Sequence, residues 1–265
     1  MAGCCSGWCY SPIASSRRSD VSDDRLGGHR AIWQSKPVLR AIYEDLYRRI
    51  VAACVPGRTL EIGGGTGNLK AFVPDVVSSD IQVAAWLDIA CDAHRLPFAQ
   101  AAFSNIVLFD VLHHLARPRL FFEEAQRVLK SHGRIVLVEP AITFASLPFY
   151  HWLHEEPVRL GEDPLEDGDP PKGRNPYDAN QAIPSLLFGP VFGRHRRRFE
   201  AAFPSLHIRE VRPISLFAYP LSGGFRPWSL VPESVVGILL RAEAVLAPVL
   251  GSVLAFRLVV VLERA

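Results

Sequence analysis

The residues richest in chemistry form one run, Thr59-Leu60-Glu61-Ile62-Gly63-Gly64-Gly65-Thr66-Gly67-Asn68-Leu69. An apolar stretch leads into closely spaced glycines and out again, which reads as a strand, a tight turn and a helix. Glycine reaches positive φ without strain and has no Cβ to block a ribose or phosphate, and a helix start presents unpaired N–H groups. Such a turn suits a nucleoside-bearing ligand, with Glu61, Gly63, Gly65 and Gly67 as candidate contacts; a tight turn with no ligand is the alternative. A second apolar run, Val76-Val77-Ser78-Ser79-Asp80, ends in an acid nineteen residues after Glu61. An acid placed there can accept from both hydroxyls of a ribose.

Spacing narrows the ligand. A dinucleotide fingerprint, G-x-G-x-x-G, counted from Gly63 wants a glycine where Asn68 stands. With Glu61 two positions before Gly63, the run resembles E/D-x-G-x-G-x-G, the first motif of the class I S-adenosylmethionine (SAM) methyltransferases. Asp80 does not discriminate, since a NAD-binding fold also puts an acid near this position. The following segments do: Asp92-Ala93-His94-Arg95-Leu96-Pro97-Phe98, then Phe103 to Leu115 with Asp110 and His113-His114, then Arg127-Val128-Leu129-Lys130-Ser131-His132-Gly133-Arg134 and Glu139-Pro140. In this order they resemble the signature of the methyltransferase type 11 group.

The resemblance covers roughly residues 55 to 140. It implies SAM as cofactor, with Asp80 on the ribose, Asp92 on the adenine amino group beside Ala93, and Asp110 facing the methionine amino group. Leu96 and Phe98 would be apolar walls or core near the base. Two positions depart from the pattern: Ser131-His132-Gly133 replaces a Pro-Gly-Gly turn, and Asn105 replaces an acid. Both bear on turn geometry and not on ligand.

Methyl transfer from a sulfonium needs an in-line nucleophile and a rigidly held cofactor, and a hydroxyl acceptor also benefits from a base. His113 and His114 follow the strand that ends at Asp110, where a neutral imidazole could accept the acceptor's proton; capping or packing is the competing role. A second polar cluster, His151, His154, Glu155 and Glu156, begins a long irregular stretch and could touch substrate. No paired metal-ligand spacing stands out there or among the five cysteines, so no metal is expected. Cys4, Cys5 and Cys9 fall in a Gly/Ser-rich leader, with lipidation or metal capture as lesser readings. No charged start followed by an apolar stretch suggests secretion.

Positioning these residues requires a particular scaffold. Residues 1–28 read as a disordered tail, followed by one domain over 29–265. Val38, Leu39, Ile42, Leu46, Ile50 and Val51 recur at helical spacing, and Pro56-Gly57 ends that helix. Strands at 58–62, 75–80, 104–111 and 134–139 then alternate with helices at 68–72, 84–89 and 119–129. That order implies an α/β fold, a Rossmann-like seven-stranded sheet, mostly parallel with the last strand antiparallel, carrying helices on both faces. Residues 141–190 form a lid loop, rich in proline, acids and glycine from 155 to 184, followed by a helix near 191–203. Strands near 208–217 and 254–262 would complete the sheet as a hairpin.

Between those strands an apolar helical insertion spans 226–251. Glu233, Arg241 and Glu243 interrupt it before the roughly 20 apolar residues of a bilayer span. It would pack on the protein's own core, pair with a second subunit as a homodimer, or lie in a membrane interface, with Arg226 and Trp228 as anchors.

A net charge of +2 offers no general footprint for a polyanion, and Arg194-His195-Arg196-Arg197-Arg198 lacks interleaved aromatics, so nucleic acid is not expected. An apolar content of 49% over 265 residues suits a folded cytoplasmic enzyme, at the inner face of a membrane if the insertion binds one. The expected activity is SAM-dependent methyl transfer to a small or lipid-linked acceptor, with a hydroxyl oxygen as the acceptor atom. The alternatives are an NAD-dependent oxidoreductase and a non-catalytic SAM-fold scaffold that binds a partner.

Overall fold

Alternation along the strands sets up two hydrophobic layers. In the computed structural model, which describes residues 19–172, 175 and 177–265, Ile106 and Leu108, Ile135 and Leu137, and Leu258, Val260 and Leu262 face one layer. Their neighbours Val107, Val136, Val138, Val259 and Val261 face the other. The first layer is closed by Phe121, Phe122, Ala125 and Val128 of one helix, the second by Leu39, Ile42, Leu46 and Ile50 of another.

The strands are β1 (Thr59–Ile62), β2 (Val76–Asp80), β3 (Ile89–Ala90), β4 (Phe103–Phe109), β5 (Leu129–Pro140), β6 (Leu206–Ile214) and β7 (Arg257–Arg264), in the order β3-β2-β1-β4-β5-β7-β6. Pairings from β3 across to β5 are parallel, and β7 runs antiparallel between β5 and β6. The helices are α1 (Ser19–Ser35), α2 (Pro37–Ala53), α3 (Pro118–Val128), α4 (Ser146–Trp152), α5 (Ile183–Phe188), α6 (Arg196–Ala202), α7 (Ala218–Ser222) and α8 (Glu233–Leu254). This is the expected Rossmann-like sheet with one antiparallel strand.

Several local expectations are corrected. Residues 19–28, read as tail, belong to α1; residues 1–18, with Cys4, Cys5 and Cys9, lie outside the described residues. No helix forms at 84–89, because Asp88 is drawn to the sheet: its N–H donates to the Ser78 carbonyl at 2.9 Å and its Oδ2 accepts from the Ser78 N–H, so the segment keeps only the turn bond from Leu87 N–H to the Ala84 carbonyl. After the glycine turn the chain makes a single 3-10 turn, Asn68–Ala71, too short to act as a helix N-terminus toward an anion. The helix expected at 191–203 is only Arg196–Ala202. Its arginines are not a purely solvated face, since Arg198 binds Asp163 at 2.8 Å and Arg194 donates to the Leu160 carbonyl.

The insertion is anchored at one side only. Val236, Glu243 and Gly251 of α8 are buried, and Glu243 Oε1 accepts from the N–H groups of Phe217 and Ala218. Val235, Ile238, Val245 and Val249 stay exposed. The loop before α8 is pinned by Lys36, whose buried ammonium donates to the carbonyls of Ser222, Gly224, Arg226 and Trp228 at 2.6–2.8 Å. Burial pulls the Lys36 pKa down.

Both departures from the sequence pattern have a structural counterpart. Asn105 accepts from the N–H of Val55 and donates to its carbonyl, each at 2.8 Å, a two-way pairing that a carboxylate cannot make. His132 takes φ +60°, the left-handed region a glycine fills without strain. His132→Gly is expected to stabilise the protein by about 1 kcal/mol, read as a melting temperature higher by about 2–4 °C; an unchanged or lower midpoint would show that the strain is relieved elsewhere.

Candidate functional site

The carboxyl ends of β1, β2, β4 and β5 share one edge, and the expected chemistry collects there. Leaving β1, Gly63, Gly65 and Gly67 take φ of +69°, +47° and +73°. A Cβ on Gly63 would sit 2.2 Å from Val111 Cγ2, and one on Gly67 would sit 2.8 Å from the Trp86 ring. On Gly65 the nearest atom would be 3.8 Å away, so that glycine opens onto space a ligand can enter. The turn is fixed from both sides: Gly65 N–H donates to Asp80 Oδ2 at 3.0 Å, and Trp86 Nε1–H donates to the Gly65 carbonyl at 2.7 Å.

Glu61 lies beneath this turn. It is buried, and its Oε2 accepts from the Ser78 hydroxyl, so it supports the loop from below and does not face the open side of Gly65. Burial pushes its pKa up to about 7, against the pull of the Ser78 hydrogen bond and Lys70. Asp80 is also pushed up by burial, less so because backbone N–H groups hold its carboxylate. Asp92 is exposed and follows β3; its Oδ1 accepts from the His94 N–H at 2.9 Å and lies 2.6 Å from His94 Nδ1, while Ala93 beside it is buried.

Asp110 follows β4 with φ +57°, and its carboxylate is held by a residue the sequence did not reveal. Arg257, at the start of β7 and 2% exposed, binds Asp110 through Nη1 and stacks over the Tyr219 ring at 4.1 Å. Its Nε is buried without a hydrogen-bond partner. The role expected for Asp110 therefore has to be shared with a guanidinium.

A single 3-10 turn, Leu112–His114, follows. Its shape is set by Glu139, wholly buried near the end of β5: Oε1 accepts from Val111 N–H at 2.9 Å and Leu112 N–H at 2.7 Å, and Oε2 lies 2.7 Å from His113 Nδ1. The other His113 nitrogen, Nε2, lies 3.5 Å from Glu156 Oε2, and His114 Nε2 lies 3.6 Å from Glu156 Oε1. Burial pulls the His113 pKa down, but the two carboxylates override it and hold it up at about 10. Burial, then the charge of His113, pushes His114 down to about 4. The same turn thus drives its two imidazoles in opposite directions, His113 toward the charged form and His114 toward the neutral one. Only His114 keeps appreciable side-chain exposure, 23% against 2%.

Of the substrate candidates at the start of the lid, His151 and Glu155 are exposed and stay outside this cluster, Glu155 lying 3.9 Å from Arg226. His154 is half-buried and accepts from the N–H of Glu156. Glu156 is the acid that reaches the histidines. Lid residues seal the arrangement: Asn180 N–H donates to the His113 carbonyl at 2.8 Å, Gln181 Nε2 donates to Glu156 Oε2, and the Tyr177 hydroxyl donates to Gln82 at 2.9 Å. Glu139 carried one sequence signal, a lone acid closing the apolar run Ile135 to Val138, which implies a buried partner. Arg257 carried none.

Residues 60–137 match a family model described as a methyltransferase domain. They form a class I SAM-dependent methyltransferase domain. Its cofactor is S-adenosyl-L-methionine, and the open side of Gly65 and the partly satisfied Asp80 carboxylate fit a nucleoside there. The chain is 28% identical over 137 residues to compactin diketide synthase of Penicillium citrinum, a match covering 38% of this chain and 5% of that synthase's length. Among solved structures, a SAM-dependent methyltransferase from Archaeoglobus fulgidus aligns with a TM-score of 0.50 at 13% identity, covering 85% of this chain and 94% of that one. Geranyl diphosphate C-methyltransferase from Streptomyces coelicolor A3(2) aligns with a TM-score of 0.46 at 12% identity, covering 85% and 80%.

The buried acid under the turn has a measurable consequence. With its folded pKa at about 7 and its ordinary value 4.5, Glu61 keeps a proton that the unfolded chain loses, so its contribution to stability falls as pH rises through that window. Glu61→Gln is expected to match wild type near pH 4 and to be more stable above pH 7, by at most about 3 kcal/mol. Denaturant unfolding at both pH values measures it, and parallel pH profiles would count against a buried, strained carboxyl.

Proposed function

We propose that this protein transfers the methyl group of SAM to a hydroxyl oxygen of a small or lipid-linked acceptor. The observation that carries the reading is that one sheet edge places the Gly65 turn and Asp80 beside Asp110, His113, His114 and Glu156, beneath lid residues 177–181. Asp80 would hold the ribose, Asp92 and Ala93 would border the adenine, and Asp110 with Arg257 would orient the amino-acid end. When bound, the cofactor supplies an electrophilic methyl on a sulfonium. The chain's task is to hold an acceptor oxygen in line, exclude water, and accept the proton that the oxygen loses as its bond to carbon forms. His114, the more exposed imidazole of the pair, stands where it can take that proton, and His113 is held by Glu139 to orient it.

The oxidoreductase alternative gives way to the methyltransferase domain at 60–137. The scaffold alternative is separated from catalysis by experiment. Titration calorimetry with S-adenosylhomocysteine should give micromolar binding, weakened about 30-fold or more by Asp80→Ala and abolished by Gly65→Val. His114→Ala should keep that affinity within about twofold and lower turnover about 100-fold or more in an acceptor screen. No binding by folded wild type sinks the methyl-transfer reading, and binding without turnover of any acceptor favours the scaffold.

A membrane-borne acceptor is favoured by α8. Its 22 residues are long and apolar enough to cross a bilayer by length and composition, yet Glu243 ties it to the domain, so we read it as lying against a membrane surface with Val235, Ile238, Val245 and Val249 inward to lipid. Cosedimentation with anionic liposomes should pellet wild type and not Ile238→Glu/Val249→Glu; a wild type that stays in the supernatant removes this part, leaving a homodimer contact for the same face.

A further inference from the structure

The sequence offers no paired metal-ligand spacing, but the fold assembles a ligand set from adjacent histidines and an acid forty-two residues away. His113, His114 and Glu156 each present one donor atom, and the three lie within 4.8 Å of one another. We propose that His113 Nε2, His114 Nε2 and the Glu156 carboxylate form a binding site for a first-row divalent transition-metal ion, with at least one position left open for an oxygen ligand.

Three independent observations support it. The first is spacing: bonds of about 2.0–2.2 Å around a tetrahedral ion set ligand atoms roughly 3.3–3.5 Å apart. The gaps are 3.5 Å from His113 Nε2 to Glu156 Oε2 and 3.6 Å from His114 Nε2 to Glu156 Oε1, and the full donor set lies within 4.8 Å, so the three side chains draw together to seat the ion. The second is orientation. Glu139 Oε2 sits 2.7 Å from His113 Nδ1, and a carboxylate on the outer nitrogen of a ligating histidine fixes its ring and tautomer and leaves Nε2 facing the ion.

The third observation is what the cluster lacks. Gln181 is 2% exposed and gives its Nε2 to Glu156, while its Oε1 is buried with no hydrogen-bond partner, an orphan acceptor beside the proposed ligand. A water on the ion would supply the missing donor. Formal charge agrees: Glu139 and Glu156 place two acids around two imidazoles, and Arg257 on the same edge is already paired with Asp110. Two histidines and one carboxylate suit zinc, iron, cobalt or manganese over magnesium or calcium, which take mostly oxygen ligands.

The site does not depend on the methyl-transfer reading, though it deepens it: with the ion in place His114 is a ligand, and the ion takes over the part given above to its imidazole. An ion there would lower the pKa of a hydroxyl on its open position, which is the acceptor chemistry this edge has to provide.

Untagged protein of residues 1–265, stripped with EDTA, would be titrated with cobalt(II) chloride while visible d–d absorption is followed, and with zinc(II) by calorimetry. One ion per chain at micromolar affinity or tighter is expected. Glu156→Gln and His114→Ala should each weaken it about 100-fold or more, Glu139→Gln about 10- to 100-fold, and His151→Ala, an exposed histidine outside the cluster, should leave it unchanged. Circular dichroism establishes that each variant is folded. No binding by folded wild type, or binding that survives Glu156→Gln and His114→Ala alike, overturns the proposal. S-adenosylhomocysteine affinity measured on the same preparations keeps the two readings apart: metal binding without cofactor binding upholds the site and removes methyl transfer, and the reverse removes the site alone.

Discussion

A wholly buried carboxylate, Glu139 near the end of β5, is the constraint on which the functional edge depends. A charge out of water must be matched by hydrogen bonds, and Glu139 takes three partners from one short stretch: the N–H groups of Val111 and Leu112 and the ring of His113. Satisfying that carboxylate bends the chain sharply after β4. It puts Asp110 in the left-handed region and turns both histidines toward the lid. Without Glu139, Val111 and Leu112 would have two orphan donors and the imidazoles no fixed direction.

The rest of the edge is built outward from that bend. Asn180 and Gln181 of the lid bind the His113 carbonyl and Glu156, so the lid docks onto the same turn that Glu139 shapes. On the opposite side the Gly65 amide is tied to Asp80 and the Gly65 carbonyl to Trp86, which fixes the glycine turn independently. Tyr177 spans the two halves through Gln82. A dense buried polar network of this kind is strong when every member is paired, and among the described residues His114 Nδ1, Gln181 Oε1 and Arg257 Nε are buried in it without a hydrogen-bond partner.

The apolar helix α8 shows a different balance. Its inner stripe and Glu243 hold it to β6 and α7, while most of its outward residues are apolar and solvent-facing. A continuous apolar face of this kind is uncommon on a monomer, and it gives the fold a second surface apart from the edge that carries the histidines.

The fold was largely legible because its signals are local. Alternating apolar residues announce strands, glycines with Glu61 announce the turn, and the ordered motifs between 59 and 140 name the domain. Where local reading failed, tertiary contacts had overruled backbone propensity: Asp88 paired with Ser78 of β2 through both its N–H and its carboxylate where a helix at 84–89 was expected, and Trp86 bonded the glycine turn. His113 and His114 were visible as candidates, but their different states were not, since these follow from Glu139 and Glu156. Sequence alone thus determined the sheet, the glycine turn at its edge and the methyltransferase class, all of which rest on residues close together in the chain. Tertiary structure decided which acid meets the histidines, that Asp110 is paired with Arg257, and that α8 keeps an apolar face to solvent. Contacts of that kind join residues 26 to 147 positions apart, and a buried charge chooses its partner by distance and desolvation, neither of which a linear pattern records.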